Sequence, residues 1–130
     1  MREVLAHLEL AVRAADDKGA TAPVALEVGE QFGFADAFLI LTGSVERNVQ
    51  AISDAIEEAL NAAGVRTLRR EGRESGRWVL LDFGDIVVHV FHQEERGFYQ
   101  LEKLWSDCPV VDLAPMLEAA APDSAFDDRS

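Results

Sequence analysis

Gly43 and Ser44 sit between an apolar run and a helical stretch. A strand-to-helix turn of that kind can hold phosphate on helix N-terminal amides. Neither GxxxxGKS/T nor GxGxxG is present, so a helix cap and turn is the plainer use of the pair. Two-metal chemistry would need carboxylates converging within about 4 Å of both ions. The following strand reads Thr67-Leu68-Arg69-Arg70-Glu71 and holds no such pair. Asp82 and Asp85 lie three apart across a turn, and Asp85 reads as a turn residue. The histidines are His7, His89 and His92. His89 and Asp82 fall diagonally on one hairpin face, where a metal site or an acid–base pair would have two members. No third ligand is evident, and a histidine partly buried at an interface is the alternative. Cys108 is the single cysteine, which excludes an internal disulfide and a multi-cysteine zinc site. No catalytic residue, metal or cofactor is expected.

Arg66, Arg69, Arg70, Arg73 and Arg77 cluster in one stretch. Such a patch can meet phosphates, which leaves a limited contact with ribosomal or other RNA through Arg69, Arg70 and Arg73 open. Glu71 and Glu74 interrupt it, and a solvated edge strand guarded by charge is the other reading. The most informative group is a mixed face on the hairpin that follows. It sets Trp78 opposite Phe91, Leu80 opposite His89 and Asp82 opposite Val87. An apolar centre flanked by charge describes a protein-binding surface, or a face covered by a helix or a second subunit.

These residues need elements to hold them. Val4, Leu5, Leu8, Ala11, Val12 and Ala15 recur at helical spacing, and Gly19 is a stop signal. Val24, Leu26 and Val28 alternate with Ala25, Glu27 and Gly29, as in a strand with one buried face. Phe38 to Leu41 are apolar without a break, the pattern of a central strand. Ser44 is placed to cap a helix whose stripe is Val45, Val49, Ile52, Ile56 and Leu60, ending at Gly64. Residues 65–71 are expected to form an arginine-rich strand or edge. Residues 78–83 and 86–91 flank Gly84–Asp85 as a hairpin, with Val79, Leu81 and Phe83 facing the core opposite Val90, Val88 and Ile86. A last helix is predicted from Glu94 to Trp105, with Phe98, Leu101 and Trp105 as its stripe. The order predicts a single-domain α/β sandwich with a mixed β-sheet.

The length of 130 residues fits one domain with a core of its own. No apolar run is long enough to span a membrane, and the N-terminus carries Arg2, Glu3, His7 and Glu9, unlike a secretory signal. The single cysteine suits a reduced, cytosolic-type compartment. The net charge is −12; a chain this acidic repels free nucleic acid and suits a basic protein partner. Residues 106–130 carry −5 of that charge.

Ordered motifs run along most of the chain: Phe34-Ala35-Asp36-Ala37-Phe38, Thr42-Gly43-Ser44 and Arg47-Asn48-Val49-Gln50-Ala51-Ile52. They continue with Glu71-Gly72, residues 76–82 and residues 84–91, then Arg96, Phe98-Tyr99, Leu101-Glu102, Leu104-Trp105 and Asp107-Cys108-Pro109. Over residues 2–111 the chain resembles the ribosomal silencing factors, also called the Iojap or RsfS family. The resemblance implies a fold like that of nucleotidyltransferases without their catalytic acids, and no enzyme activity. It implies binding to the large ribosomal subunit through its fourteenth ribosomal protein, where the bound factor blocks subunit joining and represses translation. It further implies a possible homodimer. The implied contact residues are Trp78, Leu80 and Asp82 on the hairpin and Tyr99, Glu102 and Trp105 on the last helix. Asn48 stands where many members carry Gln, and Ala37 where Tyr is common. Residues 1–111 are read as the silencing-factor domain and 112–130 as a mobile acidic extension, so that deleting 113–130 should leave ribosome binding intact. The setting is expected to be bacterial cytoplasm, since no Arg-rich, acid-poor presequence opens the chain. The runner-up function is a nucleotidyl- or phosphoryl-transfer enzyme using the Gly43–Ser44 turn.

Overall fold

The structure, a computed structural model, describes residues 2–29, 35–99 and 108–117, with the backbone alone for residues 97–99. In chain order the elements are α1 (Arg2–Asp17), β1 (Thr21–Glu27), β2 (Ala37–Gly43), α2 (Glu46–Ala62), β3 (Arg69–Glu71), β4 (Trp78–Asp82), β5 (Ile86–His92), α3 (Gln93–Tyr99) and β6 (Val110–Val111). The six strands form one mixed sheet in the order β3-β4-β5-β2-β1-β6. β2 and β5 run parallel at its centre, and the other neighbours are antiparallel.

The hydrophobic pattern explains this arrangement. β2 is buried at all seven positions. Leu39 and Leu41 face the core built with the two long helices, while Phe38 and Ile40 face a second apolar cluster on the opposite side. A strand covered on both faces has no polar side to present, hence the unbroken run. α1 contributes Val4, Leu8, Ala11, Val12 and Ala15, and α2 contributes Val49, Ile52, Ile56 and Leu60. Both stripes pack on the same side of the sheet. Truncating such a fully buried aliphatic chain to alanine typically costs about 2–5 kcal/mol.

Several expectations shift. Val45, expected in the buried stripe, is 53% exposed, because it is the residue that precedes α2 rather than part of its first turn. Ser44 does not cap that helix. Its amide N–H donates to Asn48 Oδ1 at 2.9 Å, and Asn48 Nδ2 donates to the Lys18 carbonyl at 2.9 Å. In β1, Ala25 is buried against the helix-side core while Leu26, and Val28 just past the strand, are buried in the second cluster, so both faces of this strand are covered rather than one. Pro23 sits in a register irregularity between Thr21 and Val24, where its missing N–H leaves no ladder bond unmade.

β6 has no counterpart in the sequence reading. Its two residues pair antiparallel with Ala25 and Leu26, and the Glu27 amide donates to the Pro109 carbonyl at 2.8 Å. Beyond it Leu113 is buried in the helix-side core, with Met116 and Leu117 packed against that core. The chain past residue 111 therefore contributes to the domain as far as Leu117. Two apolar residues are too short a run to read as a strand, and only the free edge of β1 gives them a partner.

Candidate functional site

The hairpin of β4 and β5 has the register that alternation dictates. Trp78 lies opposite Phe91, Leu80 opposite His89 and Asp82 opposite Val87. Val79 and Leu81 turn to the helix-side core together with Val88 and Val90. That leaves Trp78, Leu80 and Asp82 on the other face, at the side of the sheet away from β1. Phe91, His89 and Val87 beneath them are buried, whereas Trp78 is 38% exposed and Leu80 and Asp82 are half-buried. β3 extends the face, because Arg69 pairs with Asp82 and Glu71 with Leu80. An open groove is lined by Glu71, Gly72, Trp78 and Leu80. Gly72 is required there: its φ is +83°, and a Cβ would come within 2.0 Å of the Trp78 carbonyl oxygen.

Trp78 is fixed from below. Its ring lies 4.7 Å from that of Phe91, tilted by 35°. Its indole Nε1 donates to His89 Nδ1 at 3.2 Å. His89 is itself 6% exposed, meets Phe38 edge-on with centroids 5.1 Å apart, and lies parallel to Phe91. Burial pushes its pKa down to about 4, so the ring is neutral at pH 7. A nitrogen that accepts carries no proton, which places the ring proton on Nε2. His89 has two diagonal neighbours on β4, and Trp78 is the one it bonds. The other, Asp82, turns its Oδ1 to the Gly84 amide at 2.9 Å. The His89–Asp82 pairing considered from the sequence does not form. Among the described residues no group of three or more His, Cys, Asp or Glu is placed to hold a metal ion.

The arginine cluster turns largely inward to the chain's own carboxylates. Arg70 makes a two-pronged contact with Glu57, and Arg73 one with Asp54 at 2.8 and 2.6 Å. These bonds hold both carboxyls below the usual range. Arg77 reaches Glu46 at 2.9 Å, Glu94 at 2.9 Å and Glu95 at 3.0 Å. The Glu46 carboxyl is lowered first by a backbone N–H of its own helix start and then by Arg77. Arg69 lies 3.3 Å from Glu71, both well exposed.

The Gly43–Ser44 turn is likewise filled by its own chain. A Cβ on Gly43 would lie 2.7 Å from Val49 Cγ2, so this glycine admits the start of α2 against the end of β2. Arg96 donates to Thr42 Oγ1 at 2.6 Å, and His92 Nδ1 accepts from the Glu94 amide at 3.1 Å. Each polar group named here has an internal use.

Of the expected contact residues, Trp78, Leu80 and Asp82 come together on one strand. Tyr99 ends α3, and its side chain lies outside the described residues, as do Glu102 and Trp105 altogether. Glu71 is the neighbour that the sequence reading missed. Its signal was the two-residue alternation of residues 69–71, readable only once β3 is paired with β4.

A family model described as "Ribosomal silencing factor during starvation" matches residues 2–130. The chain belongs to the ribosomal silencing factor family. A ribosomal silencing factor from Halalkalibacterium halodurans is 50% identical over 106 residues, covering 82% of this chain and 91% of that protein. One from Bacillus subtilis is 45% identical over 106 residues, covering 82% and 90%. A crystal structure from Bacillus halodurans superposes with a TM-score of 0.73 at 48% identity, covering 82% of this chain and 96% of the other. The silencing-factor match extends past the residues 2–111 that carry the motifs, into the acidic C-terminal stretch. The family is thus one of ribosome-related regulators, and its fold is the mixed sheet described above.

Proposed function

We propose that this protein silences translation by binding the large ribosomal subunit through its fourteenth ribosomal protein, so that its bulk prevents the small subunit from joining. No bond is made or broken in this reading, and the protein acts as a non-enzymatic repressor in the bacterial cytoplasm. The observation that carries it is the β4 face: an exposed indole and a half-buried leucine, flanked by Asp82 and Glu71. An aromatic anchor seated on a buried aromatic layer is suited to desolvation at the centre of an interface. Carboxylates at its rim suit the lysines and arginines of a basic ribosomal protein. The net charge of −12 favours such a partner over bare RNA. Arg70 and Arg73 already neutralise Glu57 and Asp54, which leaves Arg69 and its neighbours at most a minor contact with rRNA. Tyr99, Glu102 and Trp105 complete the proposed contact set, and a homodimer in solution would compete for the same face.

Co-sedimentation with isolated 50S and 30S subunits, followed by a subunit-joining assay, tests the proposal. Association with the 50S fraction and inhibited 70S formation are the expected results. Failure of the folded protein to associate with any fraction would overturn it. Nucleotide turnover instead would revive a transferase at Gly43–Ser44, for which the filled turn gives no support.

A further inference from the structure

We infer that His89 is a positioning residue for the docking face: a buried acceptor that fixes the Trp78 indole in the orientation the partner meets. This rests on the proposed reading of that face as the ribosome contact. His89 stands in a strand otherwise apolar through Phe91, and it is covered almost completely. An aliphatic residue would fill that place with no polar group to satisfy. The histidine does something an aliphatic cannot. It offers Nδ1 to the Trp78 N–H at 3.2 Å, from the diagonal position on the neighbouring strand.

Phe91 fixes the Trp78 ring by contact alone, and a stacked indole on a flat neighbour can slide or flip at modest cost. A hydrogen bond to a buried ring removes that freedom, because the bond has one direction. Phe38 and Phe91 hold the imidazole in turn, edge-on and parallel respectively. The result is a stack in which the exposed ring inherits its orientation from the core. A preorganised anchor loses less rotamer freedom on docking than a mobile one.

The test uses the full-length protein and two readouts. The first is the Trp78 indole N–H resonance, assigned by its loss in Trp78→Phe. The second is affinity for isolated large subunits. In His89→Leu the resonance should move to the position of an indole N–H without a nitrogen acceptor, and affinity should fall about three- to tenfold, the worth of one net hydrogen bond. His89→Asn presents a carbonyl oxygen near the site of Nδ1 and should recover most of both. In a Trp78→Phe background, His89→Leu should cost little more, since the bond is already gone. An unmoved resonance in folded His89→Leu would overturn the inference. So would a loss of affinity that His89→Asn does not recover, or one that persists undiminished in the Trp78→Phe background. If wild type does not bind large subunits, the proposed function fails, and the docking role of His89 fails with it. If wild type binds and His89→Leu binds equally well, only the positioning role fails.

Discussion

Trp78 is the residue with most to lose at the proposed interface and little to lose in the fold. Its ring is partly exposed while its neighbours Val79 and Phe91 are fully buried. Trp78→Ala is therefore expected to leave a folded domain and weaken large-subunit binding by about 2 kcal/mol or more, roughly thirtyfold. Paired thermal melts and binding isotherms check both halves. Asp82 needs a finer probe, because its Oδ1 also accepts the Gly84 amide. Asp82→Asn keeps that acceptor and removes the charge, whereas Asp82→Lys reverses the charge. Against a basic partner the loss of affinity should grow from Asn to Lys, reaching at least about tenfold for Lys. Equal affinities in the two folded variants would remove Asp82 from the contact. His89 also leaves a signature in stability. Its folded pKa of about 4 lies below the unfolded value near 6.5. The unfolded chain thus takes up the proton first as pH falls. The contribution of neutral His89 is whole above about pH 6.5 and is lost progressively as pH falls towards 4. Denaturant melts between pH 4.5 and 7.5 should show wild type losing stability relative to His89→Leu over that interval.

At the scale of elements, salt links tie the β3–β4 region to α2. The Arg70–Glu57 and Arg73–Asp54 pairs are largely exposed on the arginine side, so Arg70→Ala and Arg73→Ala should each cost less than about 1 kcal/mol. Arg77 differs because it bridges the start of α2 and the start of α3 through three carboxylates. Its removal leaves those acids facing one another. Hydrogen exchange in Arg77→Ala should accelerate in α3 before it does in β4 or β5. Most elements were legible in the sequence for a single reason: burial on one face imposes a period, as in α1, α2 and the β4–β5 hairpin. Ser44 shows where that logic stops. Its type and place favour a cap, but Asn48 reaches back to its amide, a contact set by how the turn closes and not by local preference. β6 was illegible because two residues carry no period at all.

For the whole molecule, the C-terminal stretch decides where the domain ends. Leu113 is buried in the same core as α1 and α2. Deleting residues 113–130 would open a cavity there and is expected to cost about 2–5 kcal/mol of stability. Deleting residues 118–130 removes acidic residues without touching Leu113, Met116 or Leu117, and should leave large-subunit binding intact. Melting curves and co-sedimentation of the two truncations separate these cases. Binding to a basic partner by so acidic a chain should also weaken as salt rises.

The sequence by itself determined the class of fold, the hairpin register and the three β4 residues of the candidate face, because alternation along a strand assigns each side chain to a side. It determined the family too, through motifs whose order is far more specific than any one of them. Only the tertiary structure decided that Arg70 and Arg73 are spent on α2 carboxylates, that Glu71 joins the face and that His89 bonds Trp78 and not Asp82. Each of these joins residues through strand pairing or helix packing. A sequence pattern fixes which side a residue faces; which neighbour it meets there depends on packing between elements far apart in the chain.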